Sequence, residues 1–329
     1  MTQAWRVHTH GEPADVLSLE DVLRPEPGPG QVRVAVATAG LNFADILLCR
    51  GSYQESPPRP FTPGLELAGV VDEVGADVDA SLIGQRVVAF PAMPHGALAS
   101  AALAAATDCL PIPSEIGDAA AAALPIAYQT GWFGLRRRAA LQAGETLVVH
   151  AGASGVGTAA IQLGKAIGAR VIATAGGPDK VATCLELGAD HAIDYQAVDL
   201  VEALRDATDG RGADVIYDPV GGGVFGASRR CLAFEGRLVV VGFASGKIPD
   251  APANHALVKN YSIVGLHWGL YRTHAPELVR EAHAELVGWL LDGTIAPIVM
   301  AERPMDEVPK ALGLLADRGA VGKVVIRVN

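Results

Sequence analysis

The short run TLVV (Thr146–Val149), three of its four residues apolar, leads directly into HAGASGVG and then into a helix-length segment ending near Ile167. No other stretch limits the possible folds so tightly. A short buried strand that turns through glycines into a helix is the opening unit of a parallel, doubly wound sheet, because the helix must pack back on the strand it has just left. The same rhythm continues in ARVIATA, HAIDY, DVIYDPV and GRLVVVGF, short apolar runs separated by helix-length segments that carry apolar residues on one face. This alternation predicts an α/β domain.

The residues before it read differently. VRVAV (Val32–Val36) alternates with period two, LAGVVDEV and GQRVVAF follow, and PEPGPG separates the first strands, which predicts a folded, barrel-like sheet. With 329 residues there is length for both domains, each with its own core. Near the end, PELVREAHAELVGWLLDG places Leu278, Ala282, Leu286 and Leu290 at helical spacing between Pro276 and Gly293. VGKVVIRV then reads as a last strand returning to the first sheet.

Composition excludes several function classes. Acidic residues outnumber basic ones 36 to 26, and no Lys/Arg stripe appears beyond Arg136–Arg138, which argues against a nucleic-acid partner. No apolar run is long enough to span a bilayer, and MTQAWRVHTH has neither the basic cluster nor the apolar core of a secretory signal. No membrane partner and a cytoplasmic location are therefore expected. Cys49, Cys109, Cys184 and Cys231 are scattered without a Cys-x-x-Cys pair, so reduced thiols and no metal site are expected.

Gly152, Gly155 and Gly157 do not make the plain G-x-G-x-x-G spacing, because Ser154 stands in the middle. The context nevertheless suits a dinucleotide: the turn through Ser154, Gly155 and Val156 leads into a helix expected over Thr158–Ile167, whose N-terminus can receive a pyrophosphate. The bland alternative is a tight strand-to-helix turn with no ligand. An NAD-binding domain places Asp or Glu at the tip of its second strand to bond the ribose hydroxyls. Here that tip reads ATAGGPDK, with Thr174 and Gly176 among the expected coenzyme contacts; Ala175, Gly176 and Gly177 present only backbone groups, and the first carboxylate, Asp179, comes beside Lys180. Without the acid a 2′-phosphate is not repelled, and Lys180 attracts it, so NADP(H) is the expected coenzyme.

With the turn placed, nearly the whole chain resembles the medium-chain dehydrogenase/reductase superfamily, in its zinc-independent, zeta-crystallin-like quinone oxidoreductase branch. The resemblance rests on GLNFADILLCRGSY, PFTPGLELAGVVDEVG, HAGASGVGTAAIQLGKAIGA, LGADHAIDY, DPVGG and GKVVIR. It implies a GroES-like β-barrel domain (residues 1–124 and 265–329), a Rossmann NADP-binding domain (125–264) and an active site in the cleft between them. A homodimer formed through the strand around Tyr261–Gly265 is also implied. Where the zinc enzymes of the superfamily carry a Cys and a His, this chain has Asn42 and Leu65, neither of which can complete a zinc site. Gly64 and Glu66 then read as a turn and the start of a strand.

The resemblance also distributes roles. Asn42 touches the nicotinamide side of the site, Asp45 orients, and Tyr53 donates the proton; a phenol with an ordinary pKa of roughly 10 can protonate an enolate or bond a quinone oxygen. Coenzyme contacts carried over are Thr130, Tyr195, Gly242, Phe243, Ala244, Ser245, Leu266, His267 and Trp268, with Lys323 reaching the phosphates. Without a Lewis acid, hydride transfer needs an acceptor that is already electrophilic. The small-molecule substrates expected are quinones, or else activated alkenes such as enones and enoyl thioesters; a coenzyme-binding protein with little turnover is the third reading.

Overall fold

A computed structural model describes residues 1–328. The chain forms two compact units, Met1–Ile126 together with the segment from Pro297 onward, and Ala127–Ala296.

The first unit opens with strands β1 (Thr2–Val7), β2 (Leu17–Val22), β3 (Gln31–Gly40), β4 (Glu66–Val74), β5 (Arg86–Ala89), β6 (Ala101–Ala105) and β7 (Cys109–Pro111). The second unit contributes β8 (Thr146–Val149), β9 (Arg170–Ala175), β10 (His191–Asp194), β11 (Ala213–Asp218), β12 (Leu232–Val240) and β13 (Ser262–Gly265). The chain then returns to the first unit with β14 (Val299–Pro304) and β15 (Lys323–Arg327).

In the first unit the strands join in the order β14-β15-β3-β4-β5-β7, with β6 also paired to β3. The period-two pattern of β3 turns Val32, Val34 and Val36 inward, where they meet Leu67, Val71, Val324 and Ile326 in one core. The last strand does return to the first sheet: Val325, Ile326 and Arg327 pair antiparallel with Gly40, Ala39 and Thr38. This is the GroES-like barrel domain of an α/β protein.

In the second unit every pairing is parallel and the order is β10-β9-β8-β11-β12-β13. Numbered from its own first strand this is 3-2-1-4-5-6, the Rossmann order, with the reversal between β8 and β11. The central strands are buried on both faces, as Thr146–Val149 in β8 and Val171–Ala175 in β9 show. Val148, Ile172, Ile193, Ile216 and Leu238 share one core with Val201, Leu204 and Phe225 from the helices.

Two expectations shift. The second crossing between units falls at 296/297, not at 264/265. The helix Pro276–Leu291 belongs to the second unit because Gln129 Nε2 donates to Val279 O, Trp132 Nε1 donates to Glu285 Oε2, and Gln162 bonds the backbone of Ala296. Its buried stripe is Val279, Ala282, His283 and Leu286, with Leu278 and Leu290 only half-buried at its margin. Among the described residues no helix is long and apolar enough to cross a membrane.

Candidate active site

The glycine turn is built by close approach. Ser154 caps the helix Gly155–Ile167 by accepting a hydrogen bond from Gly157 N at 3.1 Å. A Cβ on Gly157 would run into Ala151 O, and one on Gly152 would lie 2.8 Å from Cys184 Sγ, so helix and strand meet where only glycine fits. Gly155 and Val156 form the first turn of this helix, whose orphan N–H groups and positive dipole end suit an anion.

Beneath the turn lies a closed polar set. Buried His150 reaches Thr174 Oγ1 at 2.9 Å through Nδ1 and Ser228 Oγ at 2.8 Å through Nε2. Ser228 spends its own hydrogen on Val224 O, so Nε2 carries the proton and the Thr174 hydroxyl donates to Nδ1. Burial holds the His150 pKa below its ordinary value, which keeps the ring neutral. Thr174 also accepts Gly152 N through its carbonyl. Its side chain and carbonyl thus help to hold the turn in place.

At the tip of β9 the space over Gly176 is polar. An added Cβ there would lie 2.8 Å from the Tyr195 hydroxyl and 2.9 Å from Gln196 Nε2. Lys180 stands half-buried in the helix Pro178–Glu186 that follows. Sequence reasoning missed Gln196 and also Asp194, whose Oδ1 accepts both Gly177 N and Gln196 N at 3.0 Å and thereby shapes this tip. No motif marks either residue.

The remaining contacts assigned to the second unit fall at or beyond the carboxyl ends of its strands, apart from Thr130, which is buried in the helix Pro125–Trp132. Asp218 Oδ1 accepts Val220 N and Gly221 N, and onto that turn pack Gly242, Phe243, Ala244 and Ser245 through bonds from Ala244 N to Pro219 O and Ser245 N to Val220 O. Leu266 N donates to Val240 O, and His267 and Trp268 accept the bonds that open the short helix Gly269–His274.

In the first unit the candidate catalytic residues cluster around helix Phe43–Arg50. Asp45 is fully buried; its Oδ2 accepts Asn42 N at 2.8 Å and its Oδ1 accepts Gly64 N at 3.1 Å. Burial pushes its carboxyl up to about 7, against the pull of the Asn42 N–H and the Lys323 charge. Tyr53 follows the helix and packs, half-buried, on Val7, Leu48, Cys49 and Phe61, where Leu65 and Met93 also pack.

Three readings change here. Lys323 does not extend outward: it is 4% exposed and its ammonium donates to Leu41 O at 2.7 Å, Asn42 Oδ1 at 2.8 Å and Glu66 Oε1 at 2.6 Å. All three of its hydrogens have acceptors, so its assignment to coenzyme phosphates is withdrawn. Asn42 is turned inward as well, its Nδ2 donating to Glu66 Oε1 at 2.8 Å, so its amide serves the protein interior rather than a ligand. Glu66 is far more than the start of a strand: fully buried, it also accepts Ile126 N at 2.6 Å. Among the described residues no three of His, Cys, Asp and Glu gather as a ligand set.

Comparison with known proteins agrees with this architecture. A family model described as zinc-binding dehydrogenase matches residues 155–284, and one described as alcohol dehydrogenase GroES-like domain matches residues 28–114. The quinone oxidoreductase-like protein 2 homolog of Nematostella vectensis is 41% identical over 313 residues, covering 94% of this chain and 85% of that protein. The crystal structure of a probable oxidoreductase from Mycobacterium abscessus is 37% identical with a TM-score of 0.87, covering 99% of each chain. The Escherichia coli quinone oxidoreductase complexed with NADPH is 30% identical with a TM-score of 0.91, covering 100% of each chain. The fold and the glycine turn define an oxidoreductase of the two-domain dinucleotide class. The chain belongs to the medium-chain dehydrogenase/reductase superfamily, in its zinc-independent quinone oxidoreductase branch.

Proposed function

We propose that this chain is an NADPH-dependent reductase that passes hydride to a quinone without a metal. The observation that carries the reading is the tip of β9, where Tyr195 and Gln196 converge over Gly176 and the neighbouring carboxylate, Asp194, is turned to Gly177 N and Gln196 N. That cradle fits a 2′-phosphate, which its hydroxyl, amide and the nearby Lys180 would hold. The first turn at Gly155 and Val156, capped by Ser154, would hold the pyrophosphate, and Leu266, His267 and Trp268 would border the nicotinamide. When bound, the coenzyme supplies a hydride.

The protein's own part is to orient the acceptor, exclude water and deliver a proton. Tyr53 is the proposed proton donor, packed like Leu65 and Met93 against the apolar cluster of Val7, Leu48, Cys49 and Phe61. Leu65 offers a quinone ring an apolar surface at a position where a metal ligand would need a lone pair. The NADPH complex of the E. coli relative supports the coenzyme, and the names of the relatives support the acceptor class.

The test is NADPH oxidation followed at its nicotinamide absorbance with a panel of quinones and a panel of enones and 2-enoyl thioesters. Quinones should turn over. Turnover of the alkenes alone, or tight NADPH binding without oxidation by any acceptor, overturns the proposal. The exposed edge strand β13, with Ile263 outward and Phe234, Leu257 and Val258 exposed nearby, supports a homodimer that extends the sheet.

A further inference from the structure

The ion pair between Lys323 and Glu66 lies in the interior of the first unit, and nothing in the proposed chemistry uses it. Stability alone does not account for it, since apolar replacements of a buried ion pair usually leave a fold as stable or more so. What distinguishes this pair is what hangs from it.

Each hydrogen of the ammonium is committed, to Leu41 O, Asn42 Oδ1 and Glu66 Oε1, and both carboxylate oxygens are committed, to Lys323 with Asn42 Nδ2 and to Ile126 N. There is no slack around it: a Cβ on Gly40 would strike both the Glu66 carboxylate and Ala122 O. Two segments leave from this knot. One is helix Phe43–Arg50, rooted at Asn42 and leading to Tyr53. The other is Gly64–Leu65–Glu66, tied to the same helix by the Asp45 bonds to Gly64 N and Asn42 N. Tyr53 and Leu65 each pack against the same apolar cluster of Val7, Leu48, Cys49 and Phe61.

We propose that Lys323 is a positioning residue for the acceptor site: by clamping Asn42 and Glu66 it fixes the spacing between Tyr53 and Leu65, and so the orientation in which the acceptor meets the proton donor. The inference rests on the reading of Tyr53 given above. It gives a buried lysine, with no access to ligand, control over turnover.

The experiment compares full-length wild type with Lys323→Met and with Lys323→Met/Glu66→Gln. The single variant leaves a carboxylate buried without its counter-charge and loses stability; the double variant removes both charges and recovers the wild-type unfolding midpoint. In the double variant we expect kcat for quinone reduction to stay 10-fold or more below wild type and the acceptor KM to rise, with the NADPH Kd within twofold of wild type. Amide hydrogen exchange at Asn42 and Gly64 should quicken at least 10-fold. Recovery of wild-type kcat and KM together with stability would overturn the proposal, as would unchanged exchange at those two amides. If wild type binds NADPH but reduces no quinone, the functional reading fails while the exchange measurement still decides the clamp.

Discussion

Replacing Lys180 with alanine should weaken NADPH binding and leave NADH binding as it was. The two coenzymes differ only in the 2′-phosphate, so the ratio of their dissociation constants cancels every contact to the nicotinamide, the pyrophosphate and the adenine. A hydrogen bond to a charged group contributes about 1.5–3 kcal/mol. Tyr195 is 41% exposed, so the tip of β9 is wet, and screening there keeps the Lys180 contribution near the lower end, about 1.5–2 kcal/mol. That is roughly 10- to 30-fold in the NADPH-to-NADH ratio. The Tyr195 hydroxyl, a neutral donor, should contribute about 0.5–1.5 kcal/mol when removed in Tyr195→Phe. Fluorescence titration with each coenzyme at low ionic strength measures the ratio, and repetition at high salt should shrink the Lys180 effect. Equal weakening of both coenzymes, or a ratio within twofold of wild type, would refute the placement of the phosphate over Gly176.

Tyr53→Phe should lower quinone turnover about 10²- to 10⁴-fold, the usual worth of a positioned proton donor, with NADPH affinity unchanged; steady-state kinetics beside a titration decide it. Burial raises the Asp45 carboxyl from its ordinary 3.8 to about 7, so between those values the unfolded chain holds fewer protons than the folded one. Stability should therefore fall as pH rises across that window, and in urea unfolding Asp45→Asn should flatten this decline; a constant difference between the two proteins from pH 4.5 to 7 would contradict it. Ile263→Lys on the edge strand should convert a dimer to a monomer in sedimentation velocity, because a charge there obstructs strand pairing.

The parallel sheet was legible because its evidence is local. TLVV, ARVIATA and DVIYDPV are each centred on a short apolar run, and the turn from Ala151 to Gly157 needs small residues where strand and helix touch. The resemblance assigns Lys323 to the phosphates, and nothing local contradicts it, because the amide and the carboxylate that bond it lie 281 and 257 positions away. Asn42 was read as facing a ligand for the same reason, since the lysine and carboxylate that occupy its amide carry no local signal. Glu66 reads in the sequence only as the start of a strand, and its partners, Ile126 N and the Lys323 ammonium, lie far along the chain. The boundary near 264 failed because tethers such as Trp132 to Glu285 bind the helix Pro276–Leu291 to a part of the chain far behind it. Periodicity located that helix but left its owner open.

The knot at Glu66 also orders events during synthesis. A ribosome delivers Glu66 257 positions before Lys323, while all of the Rossmann sheet lies between them. A nascent chain can therefore complete its nucleotide-binding half while the barrel still carries an unneutralised acid at its heart. The barrel waits for its lysine, so a chain broken off before residue 323 would be left with a finished half and an open one, a ready substrate for the cell's proteases.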